Sequence, residues 1–486
     1  MIDAPTLPGI SPARQLAIAV FGSIGAVTVG TVVALVTSTE AGGVVGVAGV
    51  AAALILALRG LPVLDYVTSL DALPAAAILL FLLGGMIPAS LGINVAPGIS
   101  IDDVPTIVAV VMTLWWFVTA RGRFFLPRVA IPLILLIVWL VVSWLIVNPS
   151  LRVLLIGPGR WTMYAVMVVA AASWFKNDKL RWWFLGVLIG VAAGQALISI
   201  WAYHSNWLLD GYFVGIERFR WYQPLSGVVN GRTTGLLGIS SNFFGAYTLI
   251  PAFASLGVAV YSRQLWVKTS MIALFGVLAY SGILSYTRAT LLGLVLGVVG
   301  YLVFTRPYRL APAIVAITVL AVLATPIVSR FAEGDDRGAL ASQAGSTIFN
   351  NPFAGVGSGE YLDGIDGQEG FDPDNPTVTP HNSFLLQASE TGIPGGALLL
   401  IAVLAVMAAT WGGSVRRRAG PGAISTAIFA GLGAVLIQTM SNNLLHIPPV
   451  ATQFWLAAMV GGAFAAAAGG RWATYLMGSA LPVRST

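Results

Sequence analysis

The sequence predicts an all-α integral membrane protein with about 12–14 transmembrane helices, and three observations predict it. The chain is 57% hydrophobic and only 9% charged, whereas soluble domains carry charge on about a quarter of their residues. Its mean hydropathy is +0.87. The apolar residues fall in long continuous runs, not in the alternating ~10-residue segments of a membrane β-barrel.

The same composition excludes several classes of chemistry. There is no cysteine, so disulfides, thiolate nucleophiles and thiolate metal sites are ruled out. The three histidines, His204, His381 and His446, are too few for a His-rich metal site. The net charge of +6 comes from cations scattered between apolar runs, not from a patch that would bind nucleic acid. No metal, cofactor or nucleic-acid partner is expected.

In chain order the candidate spans are 15–36, 41–58, 73–91, 104–120, 129–147, 161–175, 182–201, 236–260, 267–284, 289–304, 310–328, 382–410, 421–441 and 450–470. A helix needs about 20 residues to cross the hydrocarbon core. The runs at 161–175 and 289–304 are short of that, so the expected count is a range. The first run follows a leader whose only basic residue is Arg14, and it is too long for a signal-peptide core. It is expected to be a retained span. No soluble domain interrupts the chain, so 1–486 is expected to form one polytopic membrane domain.

Orientation follows from the cations. With the N-terminus inside, 17 of the 25 basic residues face the cytoplasm, including Arg59, the Arg121–Arg128 group, the Lys176–Arg181 group and Arg416 to Arg418. The turn with Arg152 and Arg160 breaks the pattern and is left without a role. Two outer loops exceed turn length. One runs from Ala202 to about Gly235, with Glu217, Arg218, Arg220 and Trp221, an aromatic–basic stripe suited to headgroups. The other, 329–380, contains STIFNNPFAGVGSGEYL and is expected to form a compact external cap with one or two short helices.

The stretch PHNSFLLQASETGIPGG, 380–396, joins that cap to an apolar run. Two readings of His381 stand. It caps or anchors the helix that follows, or it is a general base, since a neutral imidazole accepts a proton near pH 7. Arg288 in SYTRATLLG either snorkels to lipid phosphate or binds a phosphate of a lipid-linked substrate with its planar fork. Arg232 in NGRTTGLLGISSNFFG is either an interfacial anchor or a second such ligand. Arg337 in GDDRGAL is a weaker candidate. Asn382, Glu390 and Asn442 are possible supporting residues. Asn443 shares the turn with Asn442, and Glu390 is equally suited to a structural bond at the helix break. The acids from Glu360 to Asp374 lack EF-hand spacing. The spans hold almost no charge at mid-depth, which argues against an ion-coupled transporter.

These segments resemble the O-antigen ligase/polymerase superfamily. His381-Asn382, nine residues, Gly392, two residues and Gly395 is similar to that family's signature. NNPFAGVGSGEY resembles its Pro-hydrophobic-x-Gly-Val-Gly segment. SYTRATLLG resembles its Ser/Thr-Arg-Gly-Ala segment, with Ala289 where glycine is usual. GRTTGLLGISSNFFG and SNNLLHIPPVATQFW are similar to two further segments; some ligases carry Asp where this chain has Asn442 or Asn443. The resemblance covers about residues 225–470.

It implies a GT-C-type membrane glycosyltransferase of the bacterial cytoplasmic membrane, with its active site facing outward. Such an enzyme is inverting and metal-independent. It moves a glycan from a polyprenyl-diphosphate carrier to a hydroxyl of a glycan, glycolipid or protein. The resemblance assigns His381 the base role and Arg232, Arg288 and Arg337 the donor diphosphate. A multi-span transporter or flippase for a lipid-linked glycan is the alternative.

Overall fold

The computed structural model describes residue 20 and residues 72–84, 94–96, 99–100, 103–119, 126–205, 233, 241–305, 311–323, 337–362, 379–411 and 420–478. The expected span 15–36 apart from residue 20, the expected span 41–58, the aromatic–basic stripe, Arg232 and the acids after Glu360 lie outside these residues.

Apart from one small hairpin, β1 (Asn94–Ala96) with β2 (Ile99–Ser100), the regular elements among the described residues are helices. Each remaining candidate span is a helix: α1 (Ala72–Gly84), α2 (Asp103–Thr119), α3 (Ile131–Val147), α5 (Arg160–Trp174), α6 (Asp178–Ser205), α7 (Ser241–Tyr261), α8 (Leu265–Ile283), α9 (Arg288–Thr305), α10 (Ala311–Leu323), α12 (Ser383–Trp411), α13 (Pro421–Thr439) and α14 (Pro448–Ala467). Among the described residues, 9 helical segments are long and apolar enough to cross a membrane. A short α4 (Leu151–Leu154) precedes α5, α11 (Arg337–Asn350) lies in the cap, and α15 (Arg471–Met477) ends the described chain.

The centre of the bundle is α14 and α7, whose apolar windows are 94% and 89% buried; α3, at 33%, faces outward. Because lipid is as apolar as leucine, helix pairing rests on close packing of small residues. Gly257 meets Ala427 and the Ile424 backbone, and Gly293 lies against the Ala434 carbonyl. A side chain at either glycine would push α13 away. Large apolar residues that stay exposed, such as Val118, Leu145 and Leu320, are the lipid-facing ones.

The span expected at 161–175 is longer than it reads from sequence. Residues Leu155–Gly159 form a π turn that joins α4 to α5 despite Pro158, giving one segment of 24 residues from Leu151 to Trp174. Arg152 and Arg160 therefore lie on a helix, not in a connecting turn. The second interruption is in α12, where Thr391 (φ −133°) and Gly392 (φ 76°) leave helical geometry.

Candidate functional site

The cap of α12 is Asn382, not His381. The Asn382 Oδ1 accepts from the N–H of Phe384 at 2.9 Å and of Leu385 at 3.2 Å. That satisfies two of the orphan donors that open any helix. His381 precedes the cap and is half-buried. The two cap bonds are thus made by Asn382, the neighbour of His381.

Asn382 also reaches across the bundle: its Nδ2 donates to the Met440 carbonyl at 3.3 Å. Met440 follows α13, and the same end of α13 holds the arginine segment. Thr290 Oγ1 donates to Gln438 Oε1 at 3.0 Å, and Gln438 Nε2 donates to the Asn242 carbonyl at 2.5 Å. Thr287 Oγ1 donates to Asn242 Oδ1 at 3.0 Å. The residues from Gln438 to Met440 therefore tie the head of α12 to the heads of α7 and α9. Arg288, half-buried, opens α9 at this end. It follows Tyr286, whose φ of 51° makes it the one described non-glycine residue in the left-handed region. The Tyr286 hydroxyl meets that of Tyr203 at 2.5 Å. Thr233, the chain neighbour of Arg232, donates its N–H to the Leu284 carbonyl at 3.1 Å, beside the same turn.

The glycine segment of the cap closes over the break in α12. Val356 and Gly357 donate their N–H groups to the carbonyls of Ser389 and Glu390, at 3.0 and 2.8 Å, and Ile393 donates to Pro352 at 2.8 Å. From α3, Trp139 Nε1 donates to the Thr391 carbonyl at 2.7 Å and Ser143 Oγ to the Ala354 carbonyl at 2.7 Å. Glu390 is buried here; its carboxylate accepts from the Gly359 N–H and lies in the field of Arg160. Arg152 pairs with Glu360 at 3.5 Å. Both arginines that sequence reading left without a role thus belong to this end of the bundle. Nothing in the sequence alone pointed to their partners, which lie more than 200 positions away.

The turn before α14 completes the arrangement. Ser383 Oγ accepts from the Leu445 N–H at 3.1 Å, and His446 Nε2 lies 3.1 Å from Gln387 Oε1. Arg160 Nη1 donates to the His446 carbonyl at 3.3 Å. Asn442 is buried and donates from Nδ2 to the Gln438 carbonyl at 3.4 Å; its Oδ1 has no hydrogen-bond partner among the described residues. All three histidines lie at this end, His204 through its 3.1 Å contact with Tyr280. Arg337 opens α11. Among the described residues no three His, Asp or Glu side chains gather as a metal site.

Fold and site together define a multi-pass, all-helical integral membrane protein with a polar, arginine-bearing end. No family model matches this chain, and no curated protein matches it.

Proposed function

We propose that this protein is a glycosyltransferase that moves a glycan from a polyprenyl-diphosphate carrier to an acceptor hydroxyl. The observation that supports this reading best is the gathering of chemistry-bearing segments from five distant parts of the sequence at one end of the bundle. The segments at Asn242, Arg288, Val356–Gly357, His381–Asn382 and Gln438–His446 are joined there by the hydrogen bonds described above. They are also the segments whose residues resemble the O-antigen ligase/polymerase superfamily.

In this reading His381 takes the proton of the acceptor hydroxyl. The oxygen attacks the anomeric carbon from the face opposite the diphosphate. A new C–O bond forms, the bond to the diphosphate oxygen breaks, and the anomeric centre inverts. Arg288, Arg232 and Arg337 hold the diphosphate as charge develops on it, a task suited to a planar, permanently charged group. Asn382, Glu390 and Asn442 support the site. The site end faces the outside of a bacterial cytoplasmic membrane, and the reaction serves cell-envelope polysaccharide synthesis.

The test uses purified protein in nanodiscs with a polyprenyl-diphosphate-linked oligosaccharide and candidate acceptors. A mass increase of the acceptor that is lost in a folded His381→Ala protein, and weakened donor use in Arg288→Lys, is the expected result. Undiminished transfer by His381→Ala overturns the base assignment. Movement of the donor across the bilayer with no bond formed replaces the reading with a flippase.

A further inference from the structure

We infer that Phe349 and Phe353, at the end of α11 and in the turn after it, form a membrane-interface anchor that holds the glycine loop at a fixed height over the break in α12. This inference does not depend on the proposed reaction.

Two phenylalanines are left unusually open: Phe349 is 85% exposed and Phe353 is 75% exposed. Rings so exposed call for a partner. Their neighbour says which. The outward residues of α12, Ile393, Leu400, Ile401 and Leu404, are 45–56% exposed and recur at helical spacing, forming one stripe. That stripe belongs to a membrane span, so lipid covers it. The Phe353 turn sits at its head, because Ile393 donates to the Pro352 carbonyl at 2.8 Å and Gly392 lies against the Phe353 carbonyl. The exposed rings therefore continue a surface that lipid already occupies.

Height gives the second argument. From Ile393 to Trp411, α12 is about 28 Å long at 1.5 Å per residue, close to the ~30 Å hydrocarbon core. That length places Ile393 at the core boundary and the Phe353 turn in the headgroup region. The preceding turns of α12, with the buried Gln387, Ser389 and Glu390, then stand above the hydrocarbon. Besides Phe349, the α11 residues described as exposed are Gly338, Ala339, Ala341, Ser342, Gly345, Ser346 and Asn350, and none of these carries a charge that would resist approach to the bilayer. Aromatic and apolar side chains at this depth are the usual attachment of an interfacial segment. Since Val356 and Gly357 donate to Ser389 and Glu390, fixing Phe353 in the interface also fixes the loop beside the site.

The absence of cysteine from the chain makes the test direct. Phe349→Cys and Phe353→Cys proteins are spin-labelled in the full chain, reconstituted in phosphatidylcholine nanodiscs and exposed to oxygen and to a water-soluble nickel chelate. Leu404→Cys serves as the lipid reference and the exposed turn residue Gln264→Cys as the aqueous one. The expected oxygen-to-nickel accessibility ratio at both phenylalanine sites is several-fold above that at Gln264 and below that at Leu404. A ratio equal to the Gln264 value, or protection from both reagents, overturns the anchor. Because labelling can disturb the turn, a second measurement uses unlabelled Phe349→Ser/Phe353→Ser protein. Faster amide exchange at Val356 and Gly357 in nanodiscs supports coupling of anchor to loop; unchanged exchange overturns it.

Discussion

The guanidinium of Arg160 donates to the carbonyl of His446 across 3.3 Å, fastening the head of α5 to the turn before α14. The same cation lies in the field of the buried Glu390. One residue thus links three elements that share no sequence proximity. The imidazole of His446 beside it is the group that titrates.

Burial, with the Arg160 charge adding to it, pushes His446 down to about 3. A histidine in the unfolded chain titrates near ~6.5. Between about pH 6.5 and 3 the unfolded chain binds a proton that the folded chain refuses, so this group lowers stability as pH falls through that window. The slope reaches up to about 1.4 kcal/mol per pH unit. His446→Gln keeps an amide able to bond Gln387 and removes the titration. Thermal unfolding in nanodiscs from about pH 7.5 to about pH 5 is expected to fall more steeply for the wild type than for His446→Gln. Parallel curves would mean that His446 titrates normally.

Gly392 and Gly420 both have positive φ, 76° and 89°, yet they predict different costs. A Cβ at Gly420 meets no atom of the described residues within 4 Å, whereas one at Gly392 would strike the Phe353 carbonyl. Backbone strain alone is worth about 1–3 kcal/mol in this region of φ and ψ. Gly420→Ala is expected to lose only that. Gly392→Ala adds a clash between two backbones and should lose at least ~2 kcal/mol more, or fail to fold. Gly433→Ala, in open space within α13, should gain up to about 1 kcal/mol. Melting temperatures of the three variants check the ranking.

Most of the helices were legible because hydrophobic run length and helix length answer to the same bilayer thickness. Every expected span within the described residues is a helix there. The exception shows what run length misses. Gly157, Pro158 and Gly159 look like a stop, but a π turn carries the helix through them, because packing against the cap supports the irregular backbone. The site was less legible. The partners of Arg152 and Arg160 are Glu360 and His446, and no local pattern encodes contacts across such distances.

Glu390 gives a stability prediction that separates its hydrogen bond from its charge. Its carboxylate accepts from the Gly359 N–H. Glu390→Leu removes the acceptor of that half-buried N–H and should cost about 1–3 kcal/mol. Glu390→Gln keeps an acceptor and should cost less than half as much. Equal losses in chemical-denaturation curves would show that the charge facing Arg160, and not the bond to the loop, is what stabilises the break.

His381 and Asn382 are adjacent, and their variants should fail in opposite ways. Asn382 caps α12 with two bonds to backbone N–H groups, and loss of such a cap costs about 0.5–2 kcal/mol. Asn382→Ala should therefore lower the melting temperature, whereas Asn382→Asp or Asn382→Ser, which restore the acceptor, should recover most of it. His381 makes no part of that cap. His381→Ala leaves both cap bonds in place, so it should lower the melting temperature less than Asn382→Ala does, and lose transfer by about 10²–10⁴-fold, the usual worth of a placed general base. The comparison needs both readouts on the same preparations, melting by intrinsic fluorescence and transfer by mass change of the acceptor. If His381→Ala unfolds as Asn382→Ala does while its residual folded fraction turns over normally, the imidazole is a structural group and the reaction has its base elsewhere.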